Sequence, residues 1–121
     1  MSKRTLAESF RDAGAGMGYC LATQRNMRIH LAAACIALFA AWALKLDRLE
    51  TALVVFAISL VLVAEMFNTA LEKTVDLFVA TYHPLARTAK HIAAGAVLVA
   101  ALNALLTGFL VFLPHLRPLF R

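Results

Sequence analysis

Region 92–113 contains 22 consecutive residues without a charged side chain. About 20 apolar residues in a helix are enough to cross the hydrocarbon core of a bilayer, because each residue advances the helix by about 1.5 Å. Hydrophobic residues make up 62% of the 121-residue chain, whereas roughly 45–50% is usual in soluble domains. The sequence therefore predicts a membrane protein, and region 92–113 is its clearest span.

The chain is predicted to fold into an amphipathic surface helix followed by three transmembrane helices. Pro84 is expected to end the second transmembrane helix, because proline lacks a backbone amide and restricts the residue before it. The fold class is therefore an all-α membrane protein, organised as a single domain over residues 1–121. In chain order, the predicted helices are 5–27, 29–46, 49–81 and 92–113.

Basic residues are concentrated on one side of these predicted spans. Five precede the first span and three lie between the second and third, whereas the opposite side receives four. The positive-inside rule therefore predicts that the N-terminus faces the cytoplasm. The net charge is +5, but the basic residues behind it are scattered along the sequence and form no continuous basic patch. This distribution excludes a nucleic-acid stripe and favours contact with an anionic membrane surface.

The second predicted span carries carboxylates where it leaves the bilayer. Residues 52–64 are uncharged and are followed by Glu65, Asn68, Glu72 and Asp76, here called the acidic stripe. Offsets of 0, 3, 7 and 11 place these four side chains on one helical face. An ionised group at membrane depth costs at least a few kcal/mol, so it is a functional candidate. The bland alternative is that a protonated Glu65 only forms an interhelical hydrogen bond.

Three spans surround a polar face less completely than a larger bundle does. The first and third spans are rich in alanine and glycine, and small residues allow helices to approach closely in lipid. We therefore expect a homo-oligomer that buries the acidic stripe between protomers. The copy number does not follow from this pattern.

The segment AEMFNTALEKTVD at 64–76 resembles the small integral-membrane lipid kinases of prokaryotes, diacylglycerol kinase and its Gram-positive relative undecaprenol kinase. RNMRIH at 25–30, YHPLA at 82–86 and AAGAVL at 93–98 fit the same family, and the last two resemble the undecaprenol-type branch more. The resemblance implies an intertwined homotrimer that transfers the ATP γ-phosphoryl group to a lipid primary alcohol with Mg²⁺. Undecaprenol is the expected acceptor, and diacylglycerol is the alternative.

The resemblance also implies roles for individual residues. Glu65 would be the general base and Asn68 a polar support. Glu72 would be a metal ligand, as would Gln24 through its amide oxygen. The nucleotide and metal would be bound by Gln24, Glu72, Asp76, Thr81, Tyr82, His83, Lys90 and His91.

Two of these residues depart from the family pattern. Members usually carry Glu at the position of Gln24 and Asp at the position of His91, so two negative charges are missing near the expected triphosphate. We expect a working kinase with altered nucleotide or metal affinity, and a degenerate relative without activity is the alternative.

A different class of function is a non-enzymatic helical protein, such as a small channel. A pore lining should continue polar residues through the bilayer, whereas region 49–64 offers only Glu50, Thr51 and Ser59. The chain also lacks the GxxxxGK[ST] phosphate-binding loop, which excludes a P-loop kinase. The acidic stripe therefore favours an enzyme site at one membrane boundary.

Overall fold

The computed structural model describes residues 2–120, and within this range the chain is entirely helical apart from short connections. Three of the helices are long and apolar enough to cross a membrane, so the predicted all-α membrane fold class is confirmed. The elements are α1 (Leu6–Thr23), α2 (Arg25–Ala43), α3 (Arg48–Phe78), α4 (Pro84–Leu116) and a terminal 3-10 helix (Arg117–Phe120).

Helix α3 is the centre of the fold. It packs against α2 on one side and α4 on the other, and α1 contacts both α2 and α3. Its buried residues recur every three or four positions and so form one face. They are Val54, Ala57, Val61, Glu65 and Thr69.

The break between α1 and α2 lies at Gln24, whose backbone is extended (φ −108°, ψ 112°). The predicted range 5–27 placed this break later, because composition does not change at Gln24. The Arg28 guanidinium donates to the carbonyls of Leu21 and Ala22, both at 3.0 Å. These carbonyls lie in the last turn of α1, where they lack helical partners, so a residue of the next helix stabilises the end of the previous one.

A capping box begins α1. The Thr5 hydroxyl accepts from the Glu8 amide (3.2 Å), and the Glu8 carboxylate accepts from the Thr5 amide (2.8 Å). The backbone amide of Thr5, and secondly its side chain, stabilise the carboxylate and lower the pKa of Glu8. The first turn of the surface helix is therefore fixed locally.

A Schellman turn ends α2. The Leu46 amide donates to the Ala41 carbonyl (3.0 Å) and the Lys45 amide donates to the Trp42 carbonyl (3.2 Å). Lys45 adopts the left-handed conformation that this motif requires (φ 56°). A lysine occupies a position that usually favours glycine.

The start of α3 is tied to the end of α4. Asp47 and Glu50 form a reciprocal capping box, in which the Glu50 amide donates to Asp47 Oδ1 (2.8 Å). In the Glu50 side chain, the carboxylate oxygen Oε2 lies 2.8 Å from His115 Nε2. One carboxylate therefore caps α3 and joins it to α4, at the opposite end from the acidic stripe.

Helix α4 begins at Pro84 and so extends two turns before the predicted start at residue 92. His83 is the N-cap, and its Nδ1 accepts from the Leu85 amide (3.1 Å). Proline is well suited to the first helical position, where its missing amide costs nothing. Helix α3 ends at Phe78, before the predicted end at 81. Residues 79–83 form a tight connection beside the acidic stripe.

Candidate active site

The acidic stripe extends from the interior of the protomer to its surface. Glu65 is only 2% exposed, Asn68 and Glu72 are half-buried, and Asp76 is exposed. The Asn68 amide donates to Glu72 Oε1 at 3.3 Å, which links two members of the stripe. The protomer itself therefore buries Glu65, and burial of the whole stripe in a homo-oligomer stays a prediction.

Two buried acceptor atoms of the stripe lack a hydrogen-bond partner among residues 2–120. They are Glu65 Oε2 and Asn68 Oδ1. Most buried polar atoms in folded proteins are hydrogen-bonded, so each exception calls for an explanation. Acceptors of this kind suit a donor or a cation that a ligand brings.

An open groove of about 390 Å³ lies between the end of α3 and the start of α4, and it is called the polar cavity here after the polar side chains on its wall. Six of the eight residues predicted to bind nucleotide or metal lie on its wall. These are Asp76, Thr81, Tyr82, His83, Lys90 and His91. Residues dispersed over 16 positions are thus brought together by the connection at 79–83.

Lys90 and Asp76 form an ion pair across the polar cavity, with Lys90 Nζ 2.6 Å from Asp76 Oδ1. The side chains are 38% and 58% exposed, and exposed ion pairs contribute little to stability. The ion pair therefore keeps the Lys90 ammonium at the cavity but is weak enough for another anion to replace the Asp76 carboxylate.

Arg87 also lines the polar cavity, although its position in the sequence predicted no role in the site. Its spacing from His83, Lys90 and His91 is four, three and four residues, which places all of them on one face of a helix. That signal was hidden because α4 was predicted to start at residue 92. A guanidinium suits phosphate oxygens, which it binds through two parallel hydrogen bonds.

The two predicted metal ligands share no bonding partner within the described chain. The Gln24 amide donates to the Thr23 hydroxyl at 3.1 Å, whereas Glu72 accepts from Asn68. Residues 2–120 contain no cluster of three or more His, Cys, Asp or Glu side chains suited to a metal. Mg²⁺ is usually bound by one or two carboxylates together with substrate phosphates, so Glu72 and the unpartnered Asn68 oxygen fit an ion that arrives with a triphosphate.

An apolar cavity of about 350 Å³ lies between α2, α3 and α4. Small residues such as Ala34, Ala57 and Ala104 make room for it, and Phe112 lies on its wall. Val61, also on its wall, precedes Glu65 by one helical turn. A space with this lining suits a hydrocarbon chain, and it lies beside the buried end of the acidic stripe.

Known proteins resemble this chain over most of its length. Residues 11–112 match the family described as prokaryotic diacylglycerol kinase. A diacylglycerol kinase of Synechocystis sp. is 46% identical over 115 residues, which are 94% of this chain and 66% of the relative. The undecaprenol kinase of Bacillus subtilis is 41% identical over 109 residues, which are 90% of this chain and 89% of the relative.

The diacylglycerol kinase of Escherichia coli is 33% identical over 76 residues, which are 63% of this chain and 62% of the relative. The chain spans about two thirds of the length of the Synechocystis protein, whereas it spans most of the Bacillus one. All three names describe kinases of membrane lipids, which confirms the family resemblance of segment 64–76. The chain belongs to the prokaryotic diacylglycerol kinase family.

Proposed function

We propose that this protein transfers the γ-phosphoryl group of ATP to undecaprenol and so makes undecaprenyl phosphate. The observation that carries the proposal is the arrangement along α3, where buried Glu65 follows Val61 of the apolar cavity by one turn and precedes Val75 of the polar cavity by about three turns. The match to an undecaprenol kinase over 89% of that relative supports the choice of lipid. Diacylglycerol is the second candidate, because the Synechocystis relative bears that name.

Glu65 is the proposed general base. Phosphoryl transfer requires in-line positioning, neutralisation of phosphate charge and a group that accepts the proton of the attacking hydroxyl. A lipid alcohol whose chain occupies the apolar cavity would bring its hydroxyl to the carboxylate. Glu65 then takes the hydroxyl proton while the alcohol oxygen bonds to the γ-phosphorus, and the bond from that phosphorus to ADP breaks. Asn68, one turn further along the same face, supports this end of the site.

The polar cavity is the proposed nucleotide site. Arg87 and Lys90 provide positive charge for the phosphates, and His91 lies beside them on the same helix. The Tyr82 ring, 73% exposed at the cavity wall, is available to stack on the base. Thr81 supplies a hydroxyl, and His83 is the N-cap that orients the start of α4.

Glu72 is the proposed metal ligand, with Gln24 as a neutral oxygen donor. Glu72 lies two turns, roughly 10 Å, from Glu65 along the helix, which separates the metal from the base. Mg²⁺ bound there would neutralise charge on the β- and γ-phosphates. Asp76 holds Lys90 at the polar cavity until phosphate oxygens replace it.

The proposal extends to the place of the protein in the cell. The basic residues around α1 and the α3–α4 connection support a cytoplasmic location for the N-terminus and the polar cavity, where ATP is available. Helix α1 exposes Leu6, Phe10 and Met17, which suits a helix lying on an anionic membrane surface. We further propose a homotrimer in which residues 1–121 form one kinase domain.

The test follows labelled γ-phosphate from ATP to undecaprenol and to diacylglycerol in mixed micelles with Mg²⁺. We expect labelled undecaprenyl phosphate, and we expect Glu65→Gln to lower kcat by roughly 10²- to 10⁴-fold, the usual contribution of a general base. Stronger labelling of diacylglycerol would support the second candidate. If the folded protein labelled neither lipid, the kinase proposal would be wrong and a non-enzymatic role would replace it.

A further inference from the structure

The imidazole of His30 approaches the Glu65 carboxylate from α2. His30 Nε2 lies 3.8 Å from Glu65 Oε2, the same oxygen that lacks a hydrogen-bond partner. Within residues 2–120, no other basic side chain lies within 4.0 Å of this carboxylate. The contact joins positions 35 residues apart, so no local spacing in the sequence reveals it.

The two side chains are buried to different degrees. The Glu65 side chain is 2% exposed and that of His30 is 23% exposed. A carboxylate removed from water is costly unless a donor or a positive charge compensates for the lost hydration. His30 is the group placed to provide that compensation from outside α3.

His30 also lies on the wall of the apolar cavity. Apart from His30, the polar side chain on that wall is Thr107 of α4. A hydrocarbon chain in this cavity would therefore meet polar side chains at two positions, and one of them touches the proposed base. His30 lies between the space for the lipid and the carboxylate that acts on the lipid.

We infer that His30 is a positioning residue, whose ring holds one oxygen of Glu65 so that the other oxygen meets the lipid hydroxyl. The inference rests on the proposed function, in which Glu65 is the general base. The 3.8 Å separation exceeds a hydrogen bond. Hydrogen bonds at catalytic groups are often long in the free enzyme and shorten when substrate is bound, so His30 requires only a small movement.

Three substitutions separate positioning from a purely structural role. His30→Leu removes the donor, whereas His30→Gln retains an N–H group of similar reach. His30→Asn has the same amide on a side chain one methylene shorter. Each variant is assayed for phosphoryl transfer to the lipid, with kcat and the KM for lipid measured separately on protein that elutes as the folded species.

We expect His30→Leu to lower kcat by roughly 10- to 100-fold, the factor that corresponds to one hydrogen bond to a charged group. The KM for lipid should change by less than about twofold, because the contact acts on the base rather than on the chain. His30→Gln should restore most of kcat and His30→Asn should not. The Gln and Asn variants carry the comparison alone if the Leu variant fails to fold.

His115→Leu is the matched control, since it also removes a histidine that contacts a carboxylate, here that of Glu50 at the opposite end of α3. It should lower thermal stability without lowering kcat. An unchanged kcat in His30→Leu, or equal losses in the Gln and Asn variants, would overturn the inference while leaving the kinase proposal intact. A wild-type protein that transfers no phosphate would overturn the kinase proposal itself.

Discussion

Glu65 and Asp76 lie on one face of the same helix but in opposite environments. Glu65 is 2% exposed, whereas the Asp76 side chain is 58% exposed and paired with Lys90. The two carboxylates therefore differ in environment, because the buried one is removed from water and the exposed one meets water and the Lys90 ammonium. Spacing on the helix predicts the shared face, and the uncharged run 52–64 predicts which end is deeper, whereas the degree of burial follows only from packing.

Removing the basic groups of the polar cavity should weaken ATP binding. We expect Lys90→Met and Arg87→Met each to raise the KM for ATP about 10-fold, the loss of one charge-assisted hydrogen bond. The KM for lipid should stay the same, because the apolar cavity is on other parts of the helices. Steady-state assays with varied ATP measure both constants.

Lys45→Met serves as the control for this pair, since Lys45 lies in the α2–α3 connection, outside the polar cavity. It removes the same charge and should leave both KM values unchanged. Equal effects of all three substitutions would show that net charge, rather than the cavity, governs ATP binding.

Gln24 and His91 stand where the family resemblance implies two acidic residues. His91 lines the polar cavity, and Gln24 lies at the break between α1 and α2. Restoring both charges with Gln24→Glu and His91→Asp should lower the Mg²⁺ concentration needed for half-maximal activity, because carboxylates bind this cation more strongly than an amide does. A titration of activity with Mg²⁺ measures the change, and an unaltered midpoint would contradict the altered-affinity hypothesis.

At the scale of elements, the number and type of helices followed from apolar length, whereas several boundaries did not. Pro84 was interpreted as the end of one helix, but it is the first residue of another, and the charged residues after it continue α4 into water. The break at Gln24 depends on Arg28 reaching back across it. Neither feature changes the local composition, so only the folded arrangement reveals them.

The Schellman turn after α2 offers a prediction about stability. Lys45 has a φ of 56°, and a left-handed backbone costs a residue with a Cβ roughly 1–2 kcal/mol relative to glycine. Lys45→Gly should therefore stabilise the protein by about 1 kcal/mol, measured by thermal unfolding in detergent. Lys45→Ala removes the charge but retains the Cβ and should give no gain, so equal stabilisation by both variants would assign the effect to charge.

For the whole molecule, the principal question is what covers its apolar surface. Phe39 of α2, Phe56 of α3 and Leu105 of α4 are 66%, 70% and 71% exposed. In a membrane, such side chains face lipid or another protomer. Both neighbours bury the same apolar side chains, so the copy number is a property of the assembly rather than of the exposed surface of one protomer.

The proposed homotrimer is tested by native mass spectrometry of the protein released from nanodiscs. We expect a mass of three chains of 13.2 kDa each. Activity should fall when the assembly is dissociated by dilution in detergent. A fully active monomer would contradict the proposal, and it would show that one protomer contains the complete site.

The lengths of α3 and α4 have a consequence for how the membrane acts on the protein. Helices of 31 and 33 residues are about 45–50 Å long, whereas the hydrocarbon core measures about 30 Å. Both are continuous rods joined by Glu50 and His115 at one end, so a thinner or thicker bilayer shifts its boundary along them. The acyl-chain length of the surrounding lipids would then set the depth of Glu65 below the headgroups. In this way the thickness of the bilayer would regulate the proposed phosphorylation of a lipid within it.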